Sequence, residues 1–158
     1  MAVSISGGSG SISGGRGKYI ARVGSVTDDC QISVMVNGKL AGSSRFRVRT
    51  IPDPVATVGG RNSGANVNAG EFKAQGGVGA WLPNFPFELK YSVTSFALST
   101  DSDDGDIVDA RVSGNSFGSA QNVLRQVKPG KTVYVENIKA VGPDGRSRTL
   151  PALVYYIK

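Results

Sequence analysis

The sequence predicts an all-β protein built from antiparallel β-sandwich modules. Apolar and polar residues alternate along most of the 158-residue chain, a period of two that is typical of half-buried strands. Glycine is the commonest residue, with 22 copies, many of which stand in the short polar segments between the alternating runs. Helical periodicity is confined to residues 120–127, which are enough for about two turns.

The first third of the chain predicts short strands and one clear hairpin. Asn37-Gly38 is the hairpin signal, because both residues tolerate the positive φ of a two-residue turn. A Gly/Ser loop is expected after the first strand. The residues that carry the alternation are Val3 and Ile5, then Tyr19, Ala21 and Val23, then Ile32, Val34 and Val36, and finally Phe46, Val48 and Ile51.

The segment Pro52-Asp53-Pro54 interrupts this pattern. Two prolines so close together cannot lie in a central strand, since each lacks an amide donor and has a fixed φ. We interpret the segment as a junction between two domains or between two sheets of one domain. The favoured division is a partial or preceding β-sandwich at residues 1–52 and a complete, C-terminal β-sandwich at residues 53–158.

The middle of the chain predicts a polar loop at residues 61–70, a short strand at residues 71–74 and a turn at Gly76-Gly77. Residues 101–109 contain five aspartates, which invites a calcium interpretation. An EF-hand loop requires a bidentate Glu at its twelfth position, and that position is Val112 here. A solvated loop is therefore favoured, with a looser calcium site as the alternative.

The longest alternation runs over residues 85–93 and predicts a half-buried antiparallel strand. Four aromatic residues are expected to anchor the core of the second domain: Phe85, Phe87, Tyr91 and Phe96. Trp81 is interpreted as a lid over that core, with an exposed binding surface as the alternative.

Residues 133–158 predict two strands around the tight turn Gly142-Pro143-Asp144-Gly145. The alternation of apolar residues shifts by one position after Val133 and Val135, which predicts a bulge near Asn137. Beyond the turn, residues 150–157 are apolar on both faces. We expect both faces to be covered, either inside a sandwich or by another chain.

Composition argues against an enzyme. Histidine is absent and Cys30 is the sole cysteine, which excludes imidazole-based triads, an intrachain disulfide and most transition-metal sites. The Gly-Lys pairs at Gly17 and Gly130 lack the preceding glycine of a P-loop and are interpreted as turns. Cys30 is expected to be a half-buried structural residue. The sequence predicts no catalytic residues, no cofactor and, without a long apolar run, no membrane insertion of this chain.

The chain is basic, with a formal net charge of +6. Arg45, Arg47 and Arg49 alternate along one predicted strand and so share a face. Phe46 and Val48 alternate with these arginines and so do not form base-stacking platforms on the arginine face, and we expect no nucleic-acid binding. A solvated strand face is favoured, and an acidic partner protein is the alternative.

Three segments together carry a family resemblance: RFRVRTIPDPVATVGG at residues 45–60, LPNFPFELKYSVTSF at residues 82–96, and KPGKTVYVENIKAVGPDGRSRTLPALVYYI at residues 128–157. In this order and spacing they resemble the C-terminal periplasmic region of the GldM (PorM) family of gliding motility and type IX secretion. The resemblance implies Ig-like β-sandwich modules in a periplasmic homodimer that an N-terminal helix anchors in the inner membrane. It also implies an inner-membrane partner like GldL, engaged through other parts of the full-length protein, and secretion-ring partners like GldK and GldN at the distal end.

The expected function is therefore that of a rigid module linking an inner-membrane motor to an outer-membrane ring. The alternative is a carbohydrate- or protein-binding β-sandwich that uses Trp81 or the acidic loop. Docking is expected on loops, since strands are committed to the core. The candidates are the loop 61–70 and the turn 142–148, where Asp144, Arg146 and Arg148 are the predicted partner-binding residues. For the turn, an ordinary solvated hairpin tip is the alternative.

Overall fold

Strands account for 53% of the residues and helices for 9% in the computed structural model, which describes residues 1–158. The predicted all-β fold is confirmed. No helix is both long and apolar enough to cross a membrane. The chain divides into two compact units, unit 1 (Met1–Ile51) and unit 2 (Pro52–Lys158).

Unit 1 contains five strands in two antiparallel sheets. The strands are β1 (Ala2–Ser6), β2 (Ser11–Gly15), β3 (Lys18–Arg22), β4 (Thr27–Val36) and β5 (Lys39–Val48). One sheet has the order β1-β4-β5, and the other is the β2–β3 hairpin. Sequence reasoning missed β2, because its glycines and serines are typical of a loop.

Both hairpins of unit 1 turn in two residues with positive φ. Asn37 and Gly38 have φ values of 50° and 75°, which confirms the predicted turn. Arg16 and Gly17 have φ values of 52° and 82° and join β2 to β3. Cys30 lies in β4 and is the one buried hydrophobic residue of the unit.

Unit 2 contains eight strands and two short helices. They are β6 (Val55–Val58), β7 (Asn66–Val67), α1 (Ala69–Ala74), β8 (Val78–Trp81), β9 (Ser92–Asp101), β10 (Ile107–Ser113), α2 (Gln121–Gln126), β11 (Thr132–Val141), β12 (Ser147–Leu150) and β13 (Leu153–Ile157). A six-stranded sheet has the order β10-β9-β11-β13-β7, and β12 also pairs with β11. The β6–β8 ribbon forms a second, two-stranded sheet.

One continuous core joins these elements. Phe72 of α1 stacks on Phe117 at a centroid distance of 5.6 Å and lies 5.6 Å from the ring of Tyr155 on β13. Phe117 in turn meets Phe96 of β9 edge-on at 5.7 Å. The helical prediction for residues 120–127 is confirmed by α2, whose apolar stripe is buried: Ala120, Val123, Leu124 and Val127.

Two predicted strands of unit 2 are wrong. Residues 71–74 belong to α1, where the Phe72 amide donates to the Asn68 carbonyl at 2.9 Å and turns the one large apolar side chain inward.

Residues 85–91 are irregular, and β9 begins only at Ser92. Pro83 and Pro86 supply no amide donors to a ladder, and Asn84 has a φ of 55°, so alternation alone cannot make a strand there. Of the four aromatics, Tyr91 and Phe96 are buried, whereas Phe87 is 69% exposed.

The predicted bulge in β11 is confirmed. Asn137 has a φ of 52°, and the pairing with β9 changes register between Glu136 and Lys139. Because of the bulge, the alternating apolar residues before and after Asn137 all face the core. All four are buried: Val133, Val135, Ile138 and Ala140.

The expectation of two covered faces at residues 150–157 is wrong within this chain. Pro151 and Ala152 separate β12 from β13, so that Leu150 and Leu153 both point to the core. On the outer face of β13, Tyr156 is 49% exposed. Coverage of that face by another chain stays a prediction.

Candidate functional site

The predicted site residues lie in and beside the turn between β11 and β12. The Gly145 amide donates to the Gly142 carbonyl at 3.0 Å, and Gly145 has a φ of 73°, as the Pro-Asp-Gly sequence predicts. The Asp144 carboxylate accepts from the Arg146 amide at 3.1 Å, a short-range bond typical of aspartate in turns. The turn therefore holds Asp144 in a fixed position.

Arg148 uses its guanidinium to join this turn to the beginning of unit 2. It donates to both carboxylate oxygens of Asp144, from Nη2 at 2.7 Å and from Nη1 at 3.0 Å. Its Nε donates to Oδ1 of Asp53 at 2.8 Å. The Arg148 side chain is only 9% exposed and that of Asp144 is 22% exposed, so their charge-assisted bonds are better shielded than those of an ordinary surface pair. The Asp53 side chain is 77% exposed, so its bond to Arg148 lies at the surface.

Tyr91 completes the cluster. Its hydroxyl donates to the Pro52 carbonyl at 2.8 Å, and the Arg148 guanidinium carbon lies 5.5 Å from its ring centroid, in cation–π range. Gly142 leaves room for this ring, because a Cβ there would approach Tyr91 Cε1 to 2.7 Å. We call Pro52 and Asp53, the first residues of unit 2, the strap. The strap and the residues that hold it, Tyr91, Asp144 and Arg148, together form the strap clamp.

The electrostatics of the strap clamp favour its charged form. The hydrogen bond from Arg148 lowers the pKa of Asp144 from its ordinary 3.8 to about 2. The same bond raises the pKa of Arg148 above its usual value. Burial raises the pKa of Tyr91. All these groups keep one protonation state around neutral pH, so the cluster is suited to holding a structure rather than to transferring protons.

The structure brings the three predicted residues together but gives them different roles. Arg148 and Asp144 bind each other, and Arg148 also binds Asp53. Arg146, by contrast, is exposed at the tip of the turn. Sequence reasoning missed the contribution of Tyr91 and placed Asp53 only in a stiff junction. No local signal could have found this pairing, because Asp53 and Arg148 are 95 residues apart. Partner binding at the turn stays a prediction.

The second docking candidate, the loop 61–70, is pinned to β13. The Val154 amide donates to Ser63 Oγ at 2.9 Å, and the Gly64 amide donates to the Val154 carbonyl at 2.7 Å. The Tyr155 hydroxyl donates to the Arg61 carbonyl at 2.7 Å and accepts from the Val58 amide at 3.1 Å. The loop is thus ordered by its own backbone contacts, with exposed residues at its surface.

The acidic loop connects β9 to β10. Asp103 binds Lys128 and Lys131, and the hydrogen bonds from these lysines lower its pKa to about 2. No group of three or more His, Cys, Asp or Glu side chains is arranged to hold a metal ion. The arrangement therefore supplies a structural ion pair between this loop and the segment before β11.

Trp81 borders an aromatic groove of about 600 Å³ formed by the irregular segment before β9. Trp81 is 48% exposed and Phe87 is 69% exposed, and Phe85 meets Phe87 edge-on at 6.0 Å. Trp81 is not the shielded lid expected from the sequence. The rings form a surface that could stack on a ligand.

Comparison with known proteins agrees with the fold of unit 2. The family model described as the GldM C-terminal domain matches residues 52–158, a range that begins with the strap and includes the entire clamp. A search of curated proteins finds no match. Since the matched residues make up more than half of the chain, the chain belongs to the GldM family of gliding-motility and secretion components.

Proposed function

We propose that this chain is a rigid, non-enzymatic module that transmits force or conformational change between an inner-membrane motor and an outer-membrane secretion ring. The observation that carries the proposal is the strap clamp. It fixes the first two residues of unit 2 through a hydrogen bond from Tyr91 to Pro52 and an ion pair between Arg148 and Asp53.

The clamp gives force a short path into the largest sheet. Tyr91 directly precedes β9, and Arg148 lies in β12, which pairs with β11. A pull on the strap therefore reaches β9 and β11, which pair with each other in that sheet. Backbone ladders over a close-packed core resist deformation, which is what a mechanical link requires.

The family supports the rest of the proposal. The chain would lie in the periplasm, with the full-length protein anchored in the inner membrane and paired there with a partner like GldL. Ring proteins like GldK and GldN would bind its distal end. Arg146 is the exposed cation of the candidate docking turn, and arginine suits recognition of carboxylates on a partner.

A strap-release variant tests the mechanical role. Asp53→Ala with Tyr91→Phe removes both bonds to the strap and leaves the Asp144–Arg148 pair in place. In cells that carry this variant, we expect the protein to accumulate and to co-purify with the ring proteins, while gliding and cargo secretion fall severalfold. Asp103→Ala is the matched control, since it removes exposed ion pairs of unit 2 that do not involve the strap. Unchanged gliding and secretion in the strap-release cells would reject the rigid link.

The docking turn is tested with Arg146→Glu alone, because Arg148 is needed within unit 2. Pull-down of GldK and GldN should weaken, most visibly at low salt, where exposed charges are least screened. Equal recovery of the ring proteins by a folded variant would remove Arg146 from the docking surface.

We also propose that the chain self-associates through the outer face of the six-stranded sheet. Ile107, Tyr134 and Tyr156 are 74%, 40% and 49% exposed there, and exposed apolar residues on one face are typical of an interface. Replacing Tyr134 and Tyr156 with Thr keeps strand propensity and should shift the mass measured by light scattering toward the monomer. A wild-type chain that is monomeric at every concentration tested would contradict the proposal.

A second candidate function rests on the aromatic groove at Trp81. A carbohydrate or protein segment stacking there should reduce acrylamide quenching of the single tryptophan. Oligosaccharides that leave the quenching unchanged would argue against a glycan platform.

A further inference from the structure

The positive charge of the chain is concentrated in unit 1. Residues 1–51 contain seven Lys and Arg side chains against two aspartates, so that +5 of the total charge of +6 lies there. Both aspartates are already paired, Asp28 with Arg49 and Asp29 with Arg45. The other basic side chains of unit 1 therefore have no carboxylate of the unit left to pair with, and only carboxylates from outside the unit can neutralise them.

Three of these side chains share the β2–β3 hairpin, residues 11–22, which we call the basic hairpin. Arg16 stands at its tip, and Lys18 and Arg22 lie on one face of β3 with Ile20 between them. The residues opposite them on β2 are Gly15, Ser13 and Ser11, which are small and uncharged. The first 27 residues of the sequence contain no Asp or Glu, so every charged side chain of the hairpin is basic.

The tip of the basic hairpin has an arginine, Arg16, at a turn position where the backbone conformation favours asparagine. A turn with positive φ at both central residues favours Asn-Gly, and the other hairpin of unit 1 has that pair at Asn37-Gly38. Arg16 takes the same position with a φ of 52°, a conformation that is unfavourable for a long side chain. Strain of this kind, next to the same turn built with the favoured residue, indicates that the guanidinium itself is needed.

We propose that the basic hairpin binds an acidic, extended segment of a partner protein whose carboxylates occupy alternate positions. Side chains four residues apart on a strand are separated by roughly 13 Å, so Lys18 and Arg22 match every second carboxylate of such a segment, and Arg16 extends the row at the tip. Guanidinium groups favour carboxylates because two donors meet two acceptors. The face carries one large apolar side chain, Ile20, between its cations, which fits a peptide better than insertion into a lipid surface.

The test is binding of a dye-labelled peptide of alternating Glu and Thr to the whole chain, followed by fluorescence anisotropy. A peptide of alternating Gln and Thr is the uncharged probe. The variant Arg16→Gln, Lys18→Gln, Arg22→Gln should bind the Glu peptide about tenfold more weakly or worse. Its matched control is Lys73→Gln, Arg125→Gln, Lys158→Gln, which removes the same charge from exposed positions of unit 2 and should weaken binding by less than about threefold.

A single substitution separates charge from folding. Arg16→Asn restores the favoured turn, so amide exchange in β2 and β3 should slow while binding of the Glu peptide weakens. A merely structural role for Arg16 would not give these opposite changes.

Three results would overturn the proposal. The first is equal affinity of the wild-type chain for the Glu and Gln peptides. The second is an equal loss of binding in the two triple variants, which would reduce the effect to net charge. The third is binding to vesicles of phosphatidylethanolamine and phosphatidylglycerol that depends on the basic hairpin in the absence of Glu-peptide binding, which would assign the surface to lipid.

Discussion

Units 1 and 2 are both made mainly of antiparallel ladders, with one parallel pair, β7 and β13, in unit 2, yet they are stabilised in different ways. Every buried hydrophobic residue of the chain except Cys30 lies in unit 2. Unit 1 has ten-residue strands, β4 and β5, but the residues of β5 are almost all exposed. Small sheets without a covered apolar face are marginally stable in water. Strand length and backbone pairing thus say little about how well a β unit resists unfolding.

The units also differ in charge. Unit 1 carries a net charge of +5 and unit 2 a net charge of +1. Like charges on a small unit repel one another and lower the stability of its compact state. A partner that supplies carboxylates would relieve this repulsion and so stabilise the folded form of unit 1.

The largest expected effect comes from expressing the units separately. Residues 52–158 contain a continuous core and should fold alone with the urea midpoint that unit 2 has in the whole chain. Residues 1–51 should show the circular dichroism of an unfolded chain, because their buried apolar area is too small to offset the entropy of ordering. A cooperative unfolding transition of the isolated 1–51 peptide would show that unit 1 is stable on its own and contradict this difference between the units.

Matched substitutions of buried side chains should measure the difference in core stability between the two units. Leu98 of β9 is fully buried, and Leu98→Ala should lower the free energy of unfolding by about 2–5 kcal/mol. Val34→Ala in β4 removes a half-buried side chain and should cost less than about 1 kcal/mol. Trp81, the one tryptophan, lies in β8 and reports the unfolding of unit 2. Amide exchange in β4 reports that of unit 1. Equal losses at the two positions would show that unit 1 has a core comparable to that of unit 2.

The sequence predicted most strands of both units but not which faces they bury. Alternation found β1, β3, β4 and β5, and the Asn37-Gly38 pair found their main turn. It failed at residues 85–91, where prolines remove the ladder donors that a strand needs. It also failed at β2, since glycine and serine can pair as well as any residue once a hairpin turn holds them. Local patterns report conformational preference, whereas burial depends on what another element covers.

The strap clamp was beyond sequence reasoning for a related reason. The turn at Gly142-Pro143-Asp144-Gly145 can be predicted from the sequence because the residues that interact in it are neighbours in the chain. The ion pair from Arg148 to Asp53 and the bond from Tyr91 to Pro52 join residues that are far apart in sequence. Their contact depends on the packing of the whole of unit 2, which no local pattern encodes.

A smaller effect is expected from a buried polar group of unit 2. Tyr155→Phe keeps the ring stacked near Phe72 but leaves the Val58 amide and the Arg61 carbonyl without their hydroxyl partner. The loss should be about 1–3 kcal/mol, the cost of leaving a buried donor unsatisfied. The control Tyr156→Phe, on the exposed face of the same strand, should change the urea midpoint very little. A neutral Tyr155→Phe would show that water replaces the hydroxyl and that the region is less dry than its burial indicates.

The smallest expected effect is the pH dependence of the strap clamp. The pKa of Asp144 is lowered in the folded protein from its ordinary 3.8 to about 2 by the Arg148 bond. A lowered folded-state pKa contributes stability that is present above the ordinary value and is lost as pH falls through the folded value. The difference in urea midpoint between the wild type and Asp144→Asn should therefore be constant from neutral pH to about pH 5 and should shrink between about pH 4 and about pH 2. Asp104→Asn makes the same charge change in an exposed loop and should show no such convergence. If the Asp144→Asn difference persisted unchanged at about pH 2, the stabilisation would come from the geometry of the turn rather than from the charge of its carboxylate.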